Sequence, residues 1–524
     1  MSSSKEDNVL DVESEMQVSG GVSLAGGRPF VALASLCLAE LLVAMDNSIV
    51  NVAIPTFSRE MDASNTALQW IVDAYTLTFS CFLLPAGHLG DRVGRRLVLM
   101  VGLAGFGVLS VFTALSGGLI ELIACRGALG VFAALIYPAT LSLITSTFAG
   151  TSYKNLAIGM WAATSGIGIA FGPILGGILL EYYSWAAIFW INVPLSAFGL
   201  LALWRGVPES RAEHGARFDV LGASLATCGV GMIVWGIIEG PHRGWVSVTV
   251  SVPCVVGLCV CLLMVAWELR CRYPLFDVRL FAHRQFAAGA LSICIGFFAL
   301  AGFIFVITQY FQMVRGYSAL VAGLATLPFA AVMAGLSPVA PVLARRLGVG
   351  VVVGVGLAVM GVGYASVAVL DERSSYWGLV VPEMIVIAAG LALVQAPATS
   401  AIMDVAKADE VGAASAMNDT TREVGGTFGV AVIGSVVAGI FAPAVASAVS
   451  ALELPSEIRE QASASVSAAI RVAERLPAPQ GRVLHDAALA AFIEALHYSV
   501  ILIAVTVWVG AVIAVIALPR RRMV

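Results

Sequence analysis

Apolar runs long enough to cross a bilayer recur along almost all of this 524-residue chain, and they restrict its fold more than any other feature. A helix needs about 20 apolar residues to span the hydrocarbon core. Fourteen runs qualify, at approximately 30 to 54, 66 to 87, 97 to 116, 119 to 148, 156 to 180, 187 to 205, 219 to 239, 246 to 267, 286 to 310, 319 to 342, 348 to 370, 377 to 402, 423 to 445 and 491 to 518. Only 12% of the residues are charged, against roughly 25% in soluble domains. In lipid a helix satisfies its own backbone, so the expected class is an all-α integral membrane protein with 14 transmembrane helices.

Basic residues orient the spans. With the N-terminus in the cytosol, 20 of the 29 Lys and Arg residues fall inside and 8 outside, while Arg126 lies within a span. The positive-inside rule therefore places both termini in the cytosol; the expected location is the plasma (inner) membrane, as a multi-pass protein. Residues 1 to 28 read as a disordered cytosolic tail without a cleavable signal, and 519 to 524 as a basic one. The external loop at 446 to 490 reads either as a pair of short helices starting at Ser456 or as a mobile linker. Nine cysteines, without metal-ligand or paired spacing, read as small hydrophobes.

Several spans carry polar stripes that cannot face lipid. Glu40, Asn47 and Asn51 share one face of the first span, with Asp46 close by; Gln69, Asp73, Thr76 and Ser80 mark the second. Arg126, Gly130 and Tyr137 mark the fourth. At 1.5 Å per residue, Asp46, Asp73 and Arg126 all lie about 10 to 12 Å below the outer surface. A charge at mid-membrane costs about 2.5 to 3.5 kcal/mol on insertion scales, so such residues mark ion or substrate paths. These three are expected to form a coupled proton site; the structural alternative is that Arg126 only ties helices together. Glu40, Asn47, Tyr137, Phe305 and Gln309 are the candidates for a substrate cavity, with Asn418 and Arg422 as further cavity or gate candidates. Glu383 is expected to snorkel to the outer surface.

At the inner end of the second span, Gly87, Gly90, Asp91, Arg92, Gly94, Arg95 and Arg96 form a glycine-punctuated charged turn. Asp91 could pair with a neighbouring helix end and hold an inner gate shut. The spacing of this turn resembles the signature loop of the major facilitator superfamily. Gly168, Gly172, Pro173, Gly176 and Gly177 in the fifth span are similar to the antiporter motif of that superfamily's drug exporters. A glycine face with one proline is a smooth, bendable surface against which another helix can rock. Asp46 to Pro55 and Trp70 to Tyr75 resemble its fourteen-helix drug:proton antiporter branch. In helix 4, Leu129 stands where the family has a glutamine, leaving Arg126 without that partner.

The resemblance implies a major facilitator fold: two six-helix bundles at 29 to 206 and 271 to 518, with inserted helices 7 and 8 at 207 to 270. Pro338 to Arg346 is a faint, acid-free echo of the signature loop, as expected of an internal repeat. The implied function is proton-coupled export of lipophilic, cationic compounds by alternating access, driven by the proton gradient and without a cofactor or metal. Its partners would be small lipophilic substrates, protons and the bilayer, with no nucleic acid, and the chain would act as a monomer. A dedicated exporter of a lipid, siderophore or self-made antibiotic is the alternative, and a non-transporting sensor a more distant one. No nucleophile–base set or phosphate-binding GxxxxGK[ST] loop points to an enzyme or an ATP-driven pump.

Overall fold

The computed structural model describes residues 29–148, 151, 154–211, 219–271, 274, 278–405, 411–450 and 454–518. The expected tails, 1 to 28 and 519 to 524, lie outside the described residues. The described chain is all helical. Its long helices are α1 (Pro29–Glu60), α2 (Asn65–Val93), α3 (Arg95–Ala114), α4 (Leu119–Thr147), α5 (Lys154–Tyr182), α6 (Asn192–Gly206), α7 (Val220–Arg243) and α8 (Val248–Glu268). They continue as α9 (Arg284–Gln309), α10 (Ala319–Leu336, broken at Ala325 and Thr326), α11 (Val349–Val367), α12 (Val381–Met403), α13 (Val411–Ser450) and α14 (Ala478–Ala517). Among the described residues twelve helices are long and apolar enough to cross a membrane; α2 and α5, of 29 residues each, stand beside them.

Helix ends follow local chemistry. Ser64 caps α2 by accepting from Ala67 N at 3.2 Å, and Asp219 caps α7 by accepting from Gly222 N at 2.9 Å. Gly94 (φ 132°) separates α2 from α3, and Gly348 (φ 91°) separates Ala340–Leu347 from α11. Both angles favour glycine because a side chain there is strained. The echo at Pro338 to Arg346 thus leads into a turn of the same kind as the signature loop.

Helix pairing repeats along the chain. α1 packs on α5, α2 on α4, and α3 on both α4 and α6; likewise α9 packs on α13, α10 on α12, and α11 on both α12 and α14. Between these groups, α2 meets α13 and α5 meets α10. α7 lies along that seam against α2 and α13, while α8 packs chiefly on α7 and is mostly exposed, as a lipid-facing helix would be.

The expected external loop is shorter than its boundaries of 446 and 490, because α13 runs to Ser450 and α14 begins at Ala478. Alanine-rich sequence sustains both helices past the apolar runs, and Pro477 and Pro479 mark the start of α14 without breaking it. Between them stand two short helices, Ser456–Ala464 and Val466–Arg475, the first of the two readings open for this loop.

Close helix contacts rest on glycine. A Cβ on Gly130 of α4 would lie 2.3 Å from the Tyr75 carbonyl oxygen, and one on Gly429 of α13 would lie 2.3 Å from that of Phe298. Gly335 and Gly439 have nothing within 4 Å. Gly130→Ala and Gly429→Ala are therefore expected to destabilise the detergent-purified protein by about 1–3 kcal/mol, the usual cost of overpacking. Gly439→Ala should hold or raise the melting temperature, since alanine is the better helix former.

Candidate functional site

A buried ion pair stands at the centre of the first helix group. Arg126 Nη1 of α4 donates to Asp46 Oδ2 of α1 at 2.7 Å, with both side chains fully buried. Asn192 Nδ2, at the start of α6, donates to Asp46 Oδ1 at 2.6 Å. Arg126 Nε donates to the Ile71 carbonyl of α2 at 3.2 Å, and the guanidinium lies 4.2 Å from the Tyr75 ring centre. Leu129 is buried nearby in α4. The polar partners that helix 4 itself lacks come from α1 and α2, and α6 in turn holds the Asp46 carboxylate.

Asp73 does not join this pair. Arg126 touches α2 through Ile71 and Tyr75, four residues apart on one face. At about 100° per residue, Asp73 is roughly 200° round the helix from Ile71. Asp73 is fully buried; its Oδ1 accepts a long bond from Thr76 at 3.5 Å and its Oδ2 has no hydrogen-bond partner. The expected depth is common to the three residues, and helix rotation divides the two acids into a compensated one and an uncompensated one.

A cavity of about 100 Å³, partly open to solvent, lies between the two helix groups. Asn47 and Asn51 of α1, Thr76 of α2, Tyr137 of α4 and Arg422 and Glu423 of α13 form its polar wall, with Phe79 and Phe297 among the apolar residues. Of the expected cavity residues, Asn47 and Tyr137 line it. Glu40, Phe305 and Gln309 are buried but do not; Gln309 Nε2 donates to the Phe305 carbonyl at 3.0 Å. The lining face of α9 is Phe297, Leu300, Ala301 and Ile304, at helical spacing, and Phe305 lies just past it.

The α13 wall carries charges of its own. Arg422 donates to the Tyr137 hydroxyl across the seam, and its Nε lies 3.7 Å from Glu423 Oε1. Asp419 is buried one turn earlier and accepts from Asn418 Nδ2 at 3.1 Å. Asp419 and Glu423 were missed from sequence, although Asp419, Arg422 and Glu423 fall at i, i+3 and i+4 on a glycine-rich helix. Glu383, expected at the surface, is buried in α12 and its Oε1 has no hydrogen-bond partner. Its position at the first turn of α12, beside neighbouring helices, puts it inside the protein instead of at the lipid edge.

The glycines of α5 serve two contacts. Added Cβ atoms on Gly168, Gly172 and Gly176 would meet Ala44 Cβ at 2.7 Å, Ser48 Oγ at 2.0 Å and Ile49 Cγ1 at 2.6 Å, all on α1. One on Gly177 would lie 2.5 Å from Leu320 Cα of α10, and the Pro173 carbonyl would lie 2.3 Å from a Cβ on Gly323. The motif therefore packs α1 within its own group and meets α10 of the other.

At the arginine-rich face, Gly87 and Gly90 lie within α2. The Asp91 side chain lies outside the described ones. The contact found there comes from Glu209, after α6, whose carboxylate accepts from Arg96 N at 3.0 Å and Leu97 N at 3.2 Å. A Cβ on Gly94 would lie 2.8 Å from that carboxylate. Arg95 N donates to the Ser210 carbonyl at 3.0 Å and Arg96 Nη2 to that of Trp204 at 2.8 Å, while Arg92 is exposed. Glu209 thus caps α3, where backbone N–H groups and the helix dipole favour an anion.

On the opposite face the groups are fastened together. Gln312 Nε2 donates to the Val52 carbonyl at 2.9 Å, and Ser58 Oγ lies 2.9 Å from Ser465 Oγ. Arg471 donates to the Ser58 carbonyl and to Asp62 Oδ1, each at 2.8 Å. Ser467 Oγ donates to Met313 Sδ at 3.1 Å. The two short helices thus bridge α1 and the end of α9.

Residues 36–430 match the model of the Major Facilitator Superfamily. The chain is 34% identical over 499 residues to the multidrug efflux pump LfrA of Mycolicibacterium smegmatis, covering 94% of this chain and 97% of that one. It is 34% identical over 478 residues to the methyl viologen resistance protein SmvA of Salmonella typhimurium, covering 89% and 93%. A solved structure of a bacterial homolog of the human lysosomal transporter Spinster, inward-facing and unoccupied, aligns with a TM-score of 0.61 at 16% identity, covering 94% and 99%. That last likeness concerns the fold.

The two acids are expected to respond differently to neutral substitution. Asp46→Asn leaves Arg126 buried without its counter-charge and should cost about 3–5 kcal/mol of stability, read as lost folded yield in detergent. Asp73→Asn breaks no ion pair and should elute and melt like the parent protein.

Proposed function

The chain belongs to the major facilitator superfamily, and from that membership we propose that it is a proton-coupled antiporter that exports lipophilic, cationic compounds. The observation that carries this reading is the cavity itself, a space between two helix groups lined by aromatic rings and a carboxylate beside a layer of buried acids. Aromatic faces and a desolvated carboxylate attract a soft cation. Efflux and resistance proteins similar along nearly the whole chain support the same direction of transport.

In this reading there are fourteen transmembrane helices, with α2 and α5 added to the twelve apolar ones. The six-helix halves are 29 to 206 and 271 to 518, α7 and α8 are the inserted pair, and both termini are cytosolic. The arginine-rich face then meets the cytosol and the fastened face is external, so the structure corresponds to an inward-facing state. The protein works as a monomer in the inner membrane, using the proton gradient in place of a cofactor.

Asp73 takes the proton, because a proton is the compensation this buried carboxylate lacks. Asp46 and Arg126 hold the first half in shape and set the electrostatic background. Gly87, Gly90, Asp91, Arg92, Gly94, Arg95 and Arg96 serve as the inner gate, and Gly168 to Gly177 as the rocking surface. Outward opening requires release of the Ser58–Ser465 and Asp62–Arg471 contacts and movement of Gly177 past Leu320. Exchange follows if proton and substrate favour opposite states of the same protein.

In proteoliposomes, an imposed pH gradient should drive movement of methyl viologen or a quaternary-ammonium dye, and Asp73→Asn should abolish the gradient-driven component. Full gradient-driven transport by Asp73→Asn would remove the proton assignment; no movement of any lipophilic cation by the parent protein would remove the export reading. Separately, cysteines at Ser58 and Ser465 should cross-link under mild oxidant and stop transport, with recovery on reduction. Undiminished transport after complete cross-linking would exclude opening at this face.

A further inference from the structure

Arg422 is the one cation on the cavity wall among the described residues, and its surroundings are those a lipophilic cation would need. Its guanidinium carbon lies 5.0 Å from the Phe297 ring centre and 5.4 Å from that of Tyr137, within cation–π range of both. The two rings belong to opposite helix groups, α9 and α4. Glu423 supplies a carboxylate at 3.7 Å, and the Tyr137 hydroxyl accepts a hydrogen bond from Nη2. The side chain is 12% exposed, so these attractions act with little water between them.

Tyr137 is itself held in place. Its ring packs edge-on to Phe79 and Trp161, each with centres 5.7 Å away, and Trp161 Nε1 donates to Thr140 Oγ1 at 3.1 Å. Tyr75 continues the row, 5.8 Å from Phe79, and carries Arg126 on its face. The aromatic row therefore carries one guanidinium on Tyr75, at its end, and another on Tyr137. Arg126 is locked by Asp46 and the Ile71 carbonyl, whereas Arg422 borders open space.

We propose that Arg422 is a tethered surrogate substrate: it occupies the cation site formed by Tyr137, Phe297 and Glu423, and an exported cation binds by displacing it. This rests on the reading of the protein as a cation exporter and adds a specificity determinant to it. A cation that binds weakly to rings and carboxylate cannot evict the guanidinium, so Arg422 sets a threshold that favours large aromatic or multiply charged cations. The displaced guanidinium also lets go of Tyr137, removing a bond between the two halves as cargo arrives. A site that its own ligand leaves about a tenth of the time shows an apparent affinity about tenfold below the intrinsic one.

The test is equilibrium binding of tetraphenylphosphonium to the purified full-length protein. Arg422→Gln removes the surrogate and should tighten the Kd about tenfold. Tyr137→Phe keeps every charge and the ring but removes the acceptor that holds the guanidinium, and should tighten it about threefold, a smaller release of the same block. Unchanged, weaker or absent binding in Arg422→Gln would overturn the proposal. So would tighter binding in Arg422→Gln with none in Tyr137→Phe, because the gain would then be the loss of a repelling charge. Should Arg422→Gln not fold, Tyr137→Phe decides alone. The export reading is judged separately, by gradient-driven transport in the parent protein.

Discussion

Inside a membrane a charge must be compensated by the protein itself, and Arg126 shows how far that requirement organises the fold. One guanidinium reaches Asp46 of α1, the Ile71 carbonyl and Tyr75 ring of α2, and through Asp46 the Asn192 amide of α6. Four helices of one group are referred to a single buried charge. The leucine at position 129 is consistent with this, since partners gathered from other helices replace one on the same helix. Packing around the pair needs little beyond glycine, which lets α1, α4 and α5 come close enough for these bonds to form.

Glycine also separates what is fixed from what can slide. Gly168, Gly172 and Gly176 join α5 to α1, and Gly425 and Gly429 bring α13 against Cys294 and Phe298 of α9 in the same way. These are contacts within a group. Gly177 and Gly323 instead lie across the seam, where α5 meets α10. A smooth backbone surface carries no side-chain interlock, so the seam can change without the cores being rebuilt.

Most of the architecture was legible in the sequence, because hydropathy and length are one-dimensional properties. The all-helical membrane class, nearly all the spans, the helix start at Ser456 and the family followed from them and from the motifs. Depth was legible too, since rise per residue is constant: Asp46 and Arg126 were placed in one layer and are paired. Rotation was not. Asp73, counted to the same depth, lies on another face of α2 than the Ile71 and Tyr75 face that meets the guanidinium, and Phe305 and Gln309 miss the lining face of α9. Which way a span faces depends on its neighbours, and no single span encodes them. Glu209 was invisible for a related reason: its partners are backbone N–H groups more than a hundred residues earlier in the chain.

Glu209 has a mechanical consequence. Because its carboxylate, the Ser210 carbonyl and the Trp204 carbonyl all bind the start of α3, the start of α3 and the end of α6 are joined as one small plate bearing Arg95 and Arg96. In any tilt of its half such a plate would lift or lower the two arginine backbones together. If that plate rests on an anionic leaflet, as the proposed orientation has it, headgroup charge acts on the tilt of the whole half. Lipid composition would then enter the balance between conformations as a load on a lever.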